Sequence, residues 1–150
     1  MVSSSAPAAE IVVASDLEAH FAVRRRVFVE LQGLFETSDR DEVDALDDTV
    51  HVVAVVDGSV VGTVRLYPLG DGLWKGDRLA VLPEARVHRL GAALVQFAVR
   101  TGLELGGTRM VAQVQVPNVR FFERLGWTRD GAAALYRGVM HQPMAIALSR

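Results

Sequence analysis

Two β-branched runs joined by the dipeptide Asp57-Gly58 constrain the fold of this chain more than any other feature. The runs extend from His51 to Val56 and from Ser59 to Tyr67. Asp and Gly tolerate the positive φ angles of a two-residue turn, so the pattern predicts a β-hairpin. A second turn at Gly70-Asp71-Gly72 leads into a third run, Leu73 to Val81. The middle of the chain is therefore predicted to be an antiparallel three-stranded meander.

A helix is predicted to follow the meander and to lead into a parallel strand. Apolar residues recur at helical spacing from Leu90, and Gly106-Gly107 ends the segment. Met110 to Val116 alternates in character as a strand does. Because a helix between two strands is a crossover that favours a parallel pair, the expected fold class is α+β with a mixed, mostly antiparallel sheet.

The N-terminal third is predicted to form an edge strand and one helix. Ile11 to Ala14 is a short apolar run, and Ser15 with Glu18 has the spacing of a capping box. We expect the helix to bury one apolar stripe, to point its three arginines mostly elsewhere and to end near Gly33. The stripe is Leu17, Phe21, Phe28 and Leu31, and the arginines are Arg24, Arg25 and Arg26.

The acidic stretch from Thr37 to Asp48 has no apolar period. It is predicted to be a functional loop or a short surface helix, because it is too polar for a core element. At the other end of the chain, Asn118 is expected to cap a short helix that ends at Gly126. The closing strands are predicted after Trp127, and their edges offer a contact for a homodimer.

Length and composition exclude several classes of protein. The 150 residues suit one domain, 1–150, of which 1–9 is expected to be flexible. Half of the residues are apolar and the net charge is −2, so neither disorder nor nucleic-acid binding is expected. No apolar run reaches the ~18 residues that cross a bilayer, so no membrane partner is expected. With neither a signal peptide nor a Cys, the chain fits the cytoplasm.

The segment from Leu79 to Leu94 carries the most chemical information. A strand breaks at Pro83, passes through a basic turn and continues as a helix whose first turn holds Gly91, Ala92 and Ala93. The free amides and positive dipole end of such a helix suit an anion such as a pyrophosphate. Neither standard nucleotide fingerprint is present. The alternative is a plain strand-to-helix connection with solvated arginines.

Two sequence blocks resemble the GNAT superfamily of acetyl-CoA-dependent N-acetyltransferases. Leu79 to Arg86, with Gly91 and Leu94, is similar to that family's strand and its Arg/Gln-x-x-Gly-x-Gly/Ala loop. Asn118 to Trp127 is similar to its Phe-Tyr-x-x-x-Gly-Phe block. The two blocks lie in the family's order, about thirty residues apart. The resemblance extends over essentially the whole chain.

The resemblance implies a fold, a reaction and a binding site. The fold has two parallel strands that splay into a V, with helices flanking the sheet. The reaction transfers an acetyl group from acetyl-CoA, as co-substrate, to a primary amine of a small molecule or peptide by direct attack. Pantetheine would add to the first splayed strand, and pyrophosphate would lie on the loop amides. The residues implied to bind the coenzyme are Leu79, Ala80, Val81, Arg86, Val87, His88, Arg89, Leu90, Gly91, Ala92, Asn118, Phe121 and Phe122.

Three positions depart from the family pattern. Val87 and Arg89 occupy positions where the family usually has glycines. Their side chains either obstruct the close approach of the phosphates, or Arg89 swings outward and pairs with the phosphates. Phe122 replaces a tyrosine that reprotonates the CoA thiolate, and phenylalanine has no proton to give. The acid is therefore missing or supplied elsewhere. A catalytically inactive CoA sensor and a purely structural module are the competing hypotheses.

Asp77, Tyr136 and His141 are the candidate catalytic residues. Asp77 lies on the strand that leads into the cleft, where the family often has a carboxylate that deprotonates the amine through water. Regular alternation would point its neighbour Arg78 to the opposite face. Tyr136 and His141 lie in the predicted C-terminal strand pair, from which either could reach the thioester. The alternatives are a polar strand residue for Asp77 and a structural histidine for His141.

The first half of the chain has a second resemblance, to acyl-homoserine-lactone synthases, which use acyl carriers and S-adenosylmethionine. It implies an alternative acyltransfer chemistry, with Arg26, Phe28 and Arg65 as acceptor-side residues. Arg65 alternatively pairs with an acid of the 39–48 loop. That acidic loop either attracts a cationic amine or is a solvated face. The histidines are scattered and no calcium-loop pattern is present, so no metal site is predicted.

Overall fold

Residues 9–150, which the computed structural model describes, form a sheet of eight strands with helices against it. The predicted flexible tail, 1–9, lies outside the described residues except for Ala9. The strands are β1 (Ala9–Val13), β2 (Val50–Val56), β3 (Ser59–Gly70), β4 (Leu73–Val81), β5 (Arg109–Gln115), β6 (Thr128–Arg129), β7 (Ala134–Tyr136) and β8 (Val139–Ala147). The α-helices are α1 (Leu17–Arg24), α2 (Leu90–Glu104) and α3 (Val119–Arg124). A π-helical turn (Arg25–Leu31) and short 3-10 helices (Glu42–Ala45, Pro83–His88, Val116–Asn118) complete the elements.

The strand order is β1-β2-β3-β4-β5-β8-β6, with β7 also paired to β8. Every neighbouring pair is antiparallel except β4 with β5. This parallel pair is short, since only Leu73–Lys75 aligns with Arg109–Val111. Beyond Lys75 and Val111 the two strands separate. The mixed α+β class and the V-shaped splay are both confirmed.

The central hairpin forms as its turn residues predict. Asp57 and Gly58 have φ angles of 51° and 78°, and these two positive values are typical of a type I′ turn. The twist of that turn matches the twist of the strands on either side. The predicted edge strand, meander and crossover helix are confirmed, with end positions that differ by a few residues.

The sheet separates two apolar clusters. On one face, β2 and β3 pack against α2, whose Leu94 is completely buried, and α3 contributes Phe122. On the other face, Val23, Val27 and Phe28 of the first helix pack with Phe35. Among the described residues, no helix combines the length and hydropathy that crossing a membrane requires.

A β-bulge at Arg78 divides β4 into two parts. Arg78 has a φ angle of 55°, and the pairing of β3 with β4 shifts between Thr63 and Arg65. Upstream of the bulge, Trp74 belongs to the α2-side cluster, whereas downstream Ala80 belongs to the α1-side cluster. The bulge therefore reverses which face the even-numbered side chains of β4 occupy.

The first helix differs from its prediction in its cap and in its buried face. Asp16, not Ser15, is the N-cap residue, and its carboxylate accepts a hydrogen bond from the Glu18 amide. Leu17 and Leu31 of the expected stripe are 40% and 50% exposed. Phe28 of that stripe is buried as expected, and His20, Val23, Arg24 and Val27 form the rest of the buried face. The expectation that Arg24 points elsewhere is wrong, because carboxylates of the acidic stretch receive its guanidinium. Asn118 precedes α3 as predicted but makes no side-chain capping bond.

Candidate active site

A cavity of about 320 Å³ lies where β4 and β5 separate. It passes between the two strands and has walls on both faces of the sheet. The wall toward α2 and α3 is apolar and includes Val95, Ala98, Ala112 and Trp127. The opposite wall is polar. The strand residues on it are Lys75, Asp77, Gln113, Gln115, Tyr136 and His141, which the strand register places on one face.

One side of the cavity is bordered by the part of β4 that has a single strand neighbour. In residues 9–150, β4 has a second strand neighbour only as far as Lys75, so its edge from 76 to 81 faces the gap. An edge of this kind can pair with an extended ligand such as pantetheine. Leu79 of this edge lines the cavity, and so do Asn118 and Phe122.

The segment between β4 and α2 fits the diphosphate end of such a ligand. Arg89 adopts a left-handed φ of 54° directly before α2, and its side chain, like that of Arg86, is exposed. A Cβ atom at Gly91 would lie 3.4 Å from the Phe121 ring, which packs beside the helix start. The Val87 side chain, expected either to obstruct or to admit the phosphates, lies outside the description.

One buried donor belongs to a residue of the apolar wall. The indole Nε1 of Trp127 is buried and has no hydrogen-bond partner within the described chain. A buried N–H group is rarely left unpaired unless a ligand or water completes it. The one-sided edge of β4 and the uncapped start of α2 are the features that fit a CoA thioester.

The predicted site residues fall into two groups. Seven of them line the cavity, namely Phe28, Asp77, Leu79, Asn118, Phe122, Tyr136 and His141. The other described ones lie outside its lining: Arg26, Arg65, Ala80, Val81, Arg86, the segment 88–92 and Phe121. Arg26 is exposed, and Arg65 is buried behind Asp77 in an ion-pair network. No group of three or more His, Asp or Glu side chains in the described chain is arranged to hold a metal ion.

Tyr136 and His141 form the aromatic pair of the polar wall. Their ring centroids lie 5.5 Å apart in an edge-to-face arrangement. The Nδ1 atom of His141 lies 2.8 Å from the Val139 carbonyl oxygen. Because a carbonyl can only accept, Nδ1 carries the proton and Nε2 is left with its lone pair. The side chain of His141 is buried, while Tyr136 is half exposed at the cavity.

A network of buried charges supports the polar wall from behind. Three arginines meet four aspartates, three of them from the acidic stretch: Arg24, Arg65, Arg78, Asp39, Asp41, Asp44 and Asp77. Arg65 donates to both oxygens of Asp77, over 2.8 and 2.7 Å. Arg65 pairs with Asp41 and Asp44 of the acidic stretch, which was the predicted alternative to a role on the acceptor side. The acidic stretch forms a short surface helix, Glu42–Ala45, as predicted, and Asp39 is its one fully buried residue. The expectation for Arg78 is wrong, because the bulge places Arg78 on the face of Asp77.

The network shifts the pKa values of Asp41, Asp44 and Arg65, and of the neighbouring Tyr67. Burial alone would raise the pKa of Asp41 and Asp44, but hydrogen bonds from arginines, and from His51 to Asp44, hold the pKa of both carboxyls below the usual range. The pKa of Arg65 is raised, because its hydrogen bonds to Asp77 and Asp41 outweigh its burial. Burial and the charge of Asp77 raise the pKa of Tyr67 to about 12.

His20 gives the stability of the fold a pH dependence of definite sign. Burial and the charge of Arg24 lower the pKa of His20 from 6.5 to about 3. At pH values between about 3 and 6.5, His20 binds a proton in the unfolded chain but not in the folded chain. The contribution of neutral His20 to the free energy of unfolding is therefore complete above pH 6.5 and declines as the pH falls. We expect a loss of roughly 2 kcal/mol in unfolding free energy between pH 7 and pH 5.

Urea denaturation at pH 7 and pH 5 measures this loss. In the His20→Asn variant, whose amide can still donate to the Val52 carbonyl that His20 Nδ1 contacts, the difference between the two pH values should shrink by this amount. An unchanged difference would show that His20 does not titrate as we infer.

Two contacts join the halves of the chain across the mouth of the cavity. Gln115 of β5 donates a hydrogen bond of 3.0 Å to Gln32, which follows the π-helical turn. The guanidinium of Arg137 lies 4.1 Å from the centroid of the Phe35 ring. The same arginine donates through Nε to the Tyr136 hydroxyl, over 3.2 Å. These contacts fix the polar wall relative to the first helix.

Sequence reasoning missed several residues of the cavity. Lys75 and Gln113 line the polar wall, although neither belongs to a recognised motif. Their positions follow from alternation along β4 and β5, so the strand pattern could have found them. Arg137 and Phe35 come together only because the β7–β8 hairpin reaches the first half of the chain, and no local signal predicts that contact.

The comparisons with known proteins agree with this geometry. The family model of the acetyltransferase (GNAT) family matches residues 18–127. A Bacillus subtilis protein provisionally classed as an acetyltransferase is 30% identical over 133 residues, which are 88% of this chain and 90% of that protein. An acyl-CoA N-acyltransferase from Pseudomonas aeruginosa superposes with a TM-score of 0.79 at 22% identity, covering 93% and 98% of the two chains.

A further solved structure bears on the second resemblance. A CoA-dependent acyl-homoserine lactone synthase, solved with SAM and isopentyl-CoA, has a TM-score of 0.77 at 22% identity, with 97% of this chain and 85% of that chain covered. These structural likenesses show the shared fold. The matched family model and the B. subtilis relative go further, and with them the splayed sheet and its cavity identify the chain as an acyltransferase that belongs to the acetyltransferase (GNAT) family.

Proposed function

We propose that the chain transfers an acetyl group from acetyl-CoA to a primary amine of a small molecule or peptide. One observation carries this proposal: Tyr136 and His141 lie together in the cavity where β4 loses its second strand neighbour. A thioester paired with the edge of β4 would end at this pair. An amine would approach from the polar wall.

His141 has the geometry of a proton acceptor. Its Nδ1 is committed to the Val139 carbonyl, so Nε2 is free to take the proton that the amine nitrogen loses. Asp77 is the other candidate base, but Arg65 engages both of its oxygens. Because both oxygens of Asp77 already accept from Arg65, we assign the proton to His141 and leave Asp77 to hold the wall.

Tyr136 is the proposed acid in place of Phe122. The amine nitrogen forms a bond to the acyl carbon, the carbon–sulfur bond breaks, and the sulfur leaves as a thiolate. The Tyr136 hydroxyl gives its proton to that sulfur, and the protonated His141 beside it restores the hydroxyl. Donation from Arg137 leaves the tyrosine proton free to point into the cavity, since the phenol oxygen accepts that bond. Most of the acceleration comes from positioning, with these proton transfers added to it.

Titration calorimetry with acetyl-CoA, followed by a thiol-release assay over a panel of primary amines, tests the proposal. We expect binding and amine-dependent release of CoA. Binding without release for every amine would favour a catalytically inactive sensor. If the protein neither binds acetyl-CoA nor releases CoA, both the transferase and the sensor hypotheses are overturned.

A charge placed in the first turn of α2 sharpens the binding test. Ala92→Glu adds a carboxylate where the phosphates are proposed to lie, and it should weaken acetyl-CoA binding at least about tenfold. Gln96→Glu makes a similar charge change at an exposed position of the same helix, one turn further along, and should bind normally. Equal affinities for the two variants would place the phosphates elsewhere.

A further inference from the structure

Arginines already engage the carboxylates that line the cavity. Of the described residues, Asp41 and Asp77 are the acids of the lining. Arg65 donates to both oxygens of Asp77, and it donates to both oxygens of Asp41 over 2.6 and 3.2 Å. Arg78 adds a further contact to Asp41 at 3.3 Å. The oxygens of these acids are therefore committed to guanidinium donors and are poorly placed to hold a cationic ligand directly.

Lys75 is a cation of the polar wall that has no such partner. It is half-buried, lies opposite Tyr67 on β3 and lines the cavity. No carboxylate within residues 9–150 forms an ion pair with it. Removing an ammonium group partly from water without a counter-charge is unfavourable, and an anionic ligand group would offset that cost.

The position of Lys75 suits a ligand that reaches the reacting atoms. It is the last residue of β4 that pairs with β5, so it stands at the narrow end of the splay. Alternation along β4 and the register of β5 with β8 place it on the same face as Asp77 and His141. A second cation, Arg137, lies at the mouth beside Tyr136, also without an acid partner within residues 9–150.

We propose that the acceptor carries a carboxylate in addition to its amine, and that Lys75 binds this carboxylate. The inference rests on the proposed amine transfer and narrows its substrate class. Phe28, Leu34 and Phe35 line the same cavity and suit an apolar body between the two groups. The acceptor class is therefore an amino acid with an apolar side chain. The opposite expectation, a cationic amine drawn by the acidic loop, is less favoured, because Asp41 is the acid of that loop that lines the cavity and arginines engage it.

Matched acceptors test this inference directly. L-Leucine, L-leucinamide and 3-methylbutylamine share one apolar body and differ in the carboxylate, and thiol release gives kcat and KM for each. We expect the wild-type kcat/KM to be at least tenfold higher for leucine than for either analogue. The Lys75→Met variant should lose that preference mainly through a higher KM for leucine, whereas Lys75→Arg should retain it. Acetyl-CoA affinity should not change in either variant.

The outcomes separate the two proposals. If the amide or the simple amine reacts as well as leucine, or if Lys75→Met keeps the preference, the carboxylate inference is overturned while amine transfer stands. If no amine reacts, the transfer proposal fails, and calorimetry on the CoA-saturated protein then decides about Lys75. Leucine binding that exceeds leucinamide binding and is lost in Lys75→Met would support the carboxylate site. Equal or undetectable binding of the two would reject it.

Discussion

Replacing Arg24 with methionine is expected to lower the free energy of unfolding by about 3–5 kcal/mol. Arg24 is fully buried and donates to Asp39 over 2.7 Å and to Asp44 over 2.8 and 3.0 Å. Both carboxylates are almost fully buried as well. Methionine fills much of the same space but donates to neither carboxylate. Asp39 then keeps Arg78, and Asp44 keeps Arg65 and His51, so two buried charges are less fully paired, which is more costly than a lost surface contact. Urea denaturation at pH 7 measures the change.

The adjacent arginine supplies the control. Arg25 is 62% exposed and lies 3.7 Å from the similarly exposed Glu30, so Arg25→Met should change the unfolding free energy by less than about 0.5 kcal/mol. A loss below about 1 kcal/mol for Arg24→Met would mean that water or rearranged side chains solvate the freed aspartates. The network would then not be a main support of the polar wall.

Replacing His141 with glutamine is expected to reduce kcat for amine acylation by about 10²–10⁴-fold. Glutamine keeps an amide that can donate to the Val139 carbonyl, but it has no atom that takes a proton at neutral pH. Tyr136→Phe removes only the proposed acid and should also lower kcat with acetyl-CoA. Steady-state kinetics with a reactive amine measures both losses.

A second acyl donor distinguishes the two roles. p-Nitrophenyl acetate releases a phenolate that needs no proton to leave. With this donor, Tyr136→Phe should approach wild-type kcat, whereas His141→Gln should remain slow. Calorimetry with acetyl-CoA should show unchanged affinity in both variants. If the two variants respond alike to the change of donor, the division of work between acid and base is incorrect.

The parts of the fold that were predictable depend on contacts close together in sequence. The Asp57-Gly58 turn determines its hairpin through the backbone angles of two residues. The helix between β4 and β5 requires a crossover, and a crossover favours a parallel pair. The cavity residues Asp77, Tyr136 and His141 were found because the family resemblance identifies the cleft and the strand pattern places them beside it.

The remaining features depend on partners distant in sequence. Arg24 is buried because Asp39 and Asp44, 15 and 20 residues further on, come back to it, and periodicity within the helix contains no sign of them. The π-helical turn that follows also changes which residues share a face. Asp77 could be placed in the cleft from sequence, but its engagement by Arg65 requires the register of two strands.

The bulge at Arg78 makes the length of β4 as important as its composition. Lys75 and Asp77 upstream and Ala80 downstream face the same side of the sheet, although regular alternation would put them on opposite sides. Deleting one residue at the bulge would restore regular alternation along β4. Either Lys75 and Asp77 or Ala80 would then move to the opposite face of the sheet. If a sequence alignment with relatives omits this extra residue, it pairs inward-facing with outward-facing positions over half of the strand. A substitution chosen from that alignment would then change a side chain on the wrong face of the sheet.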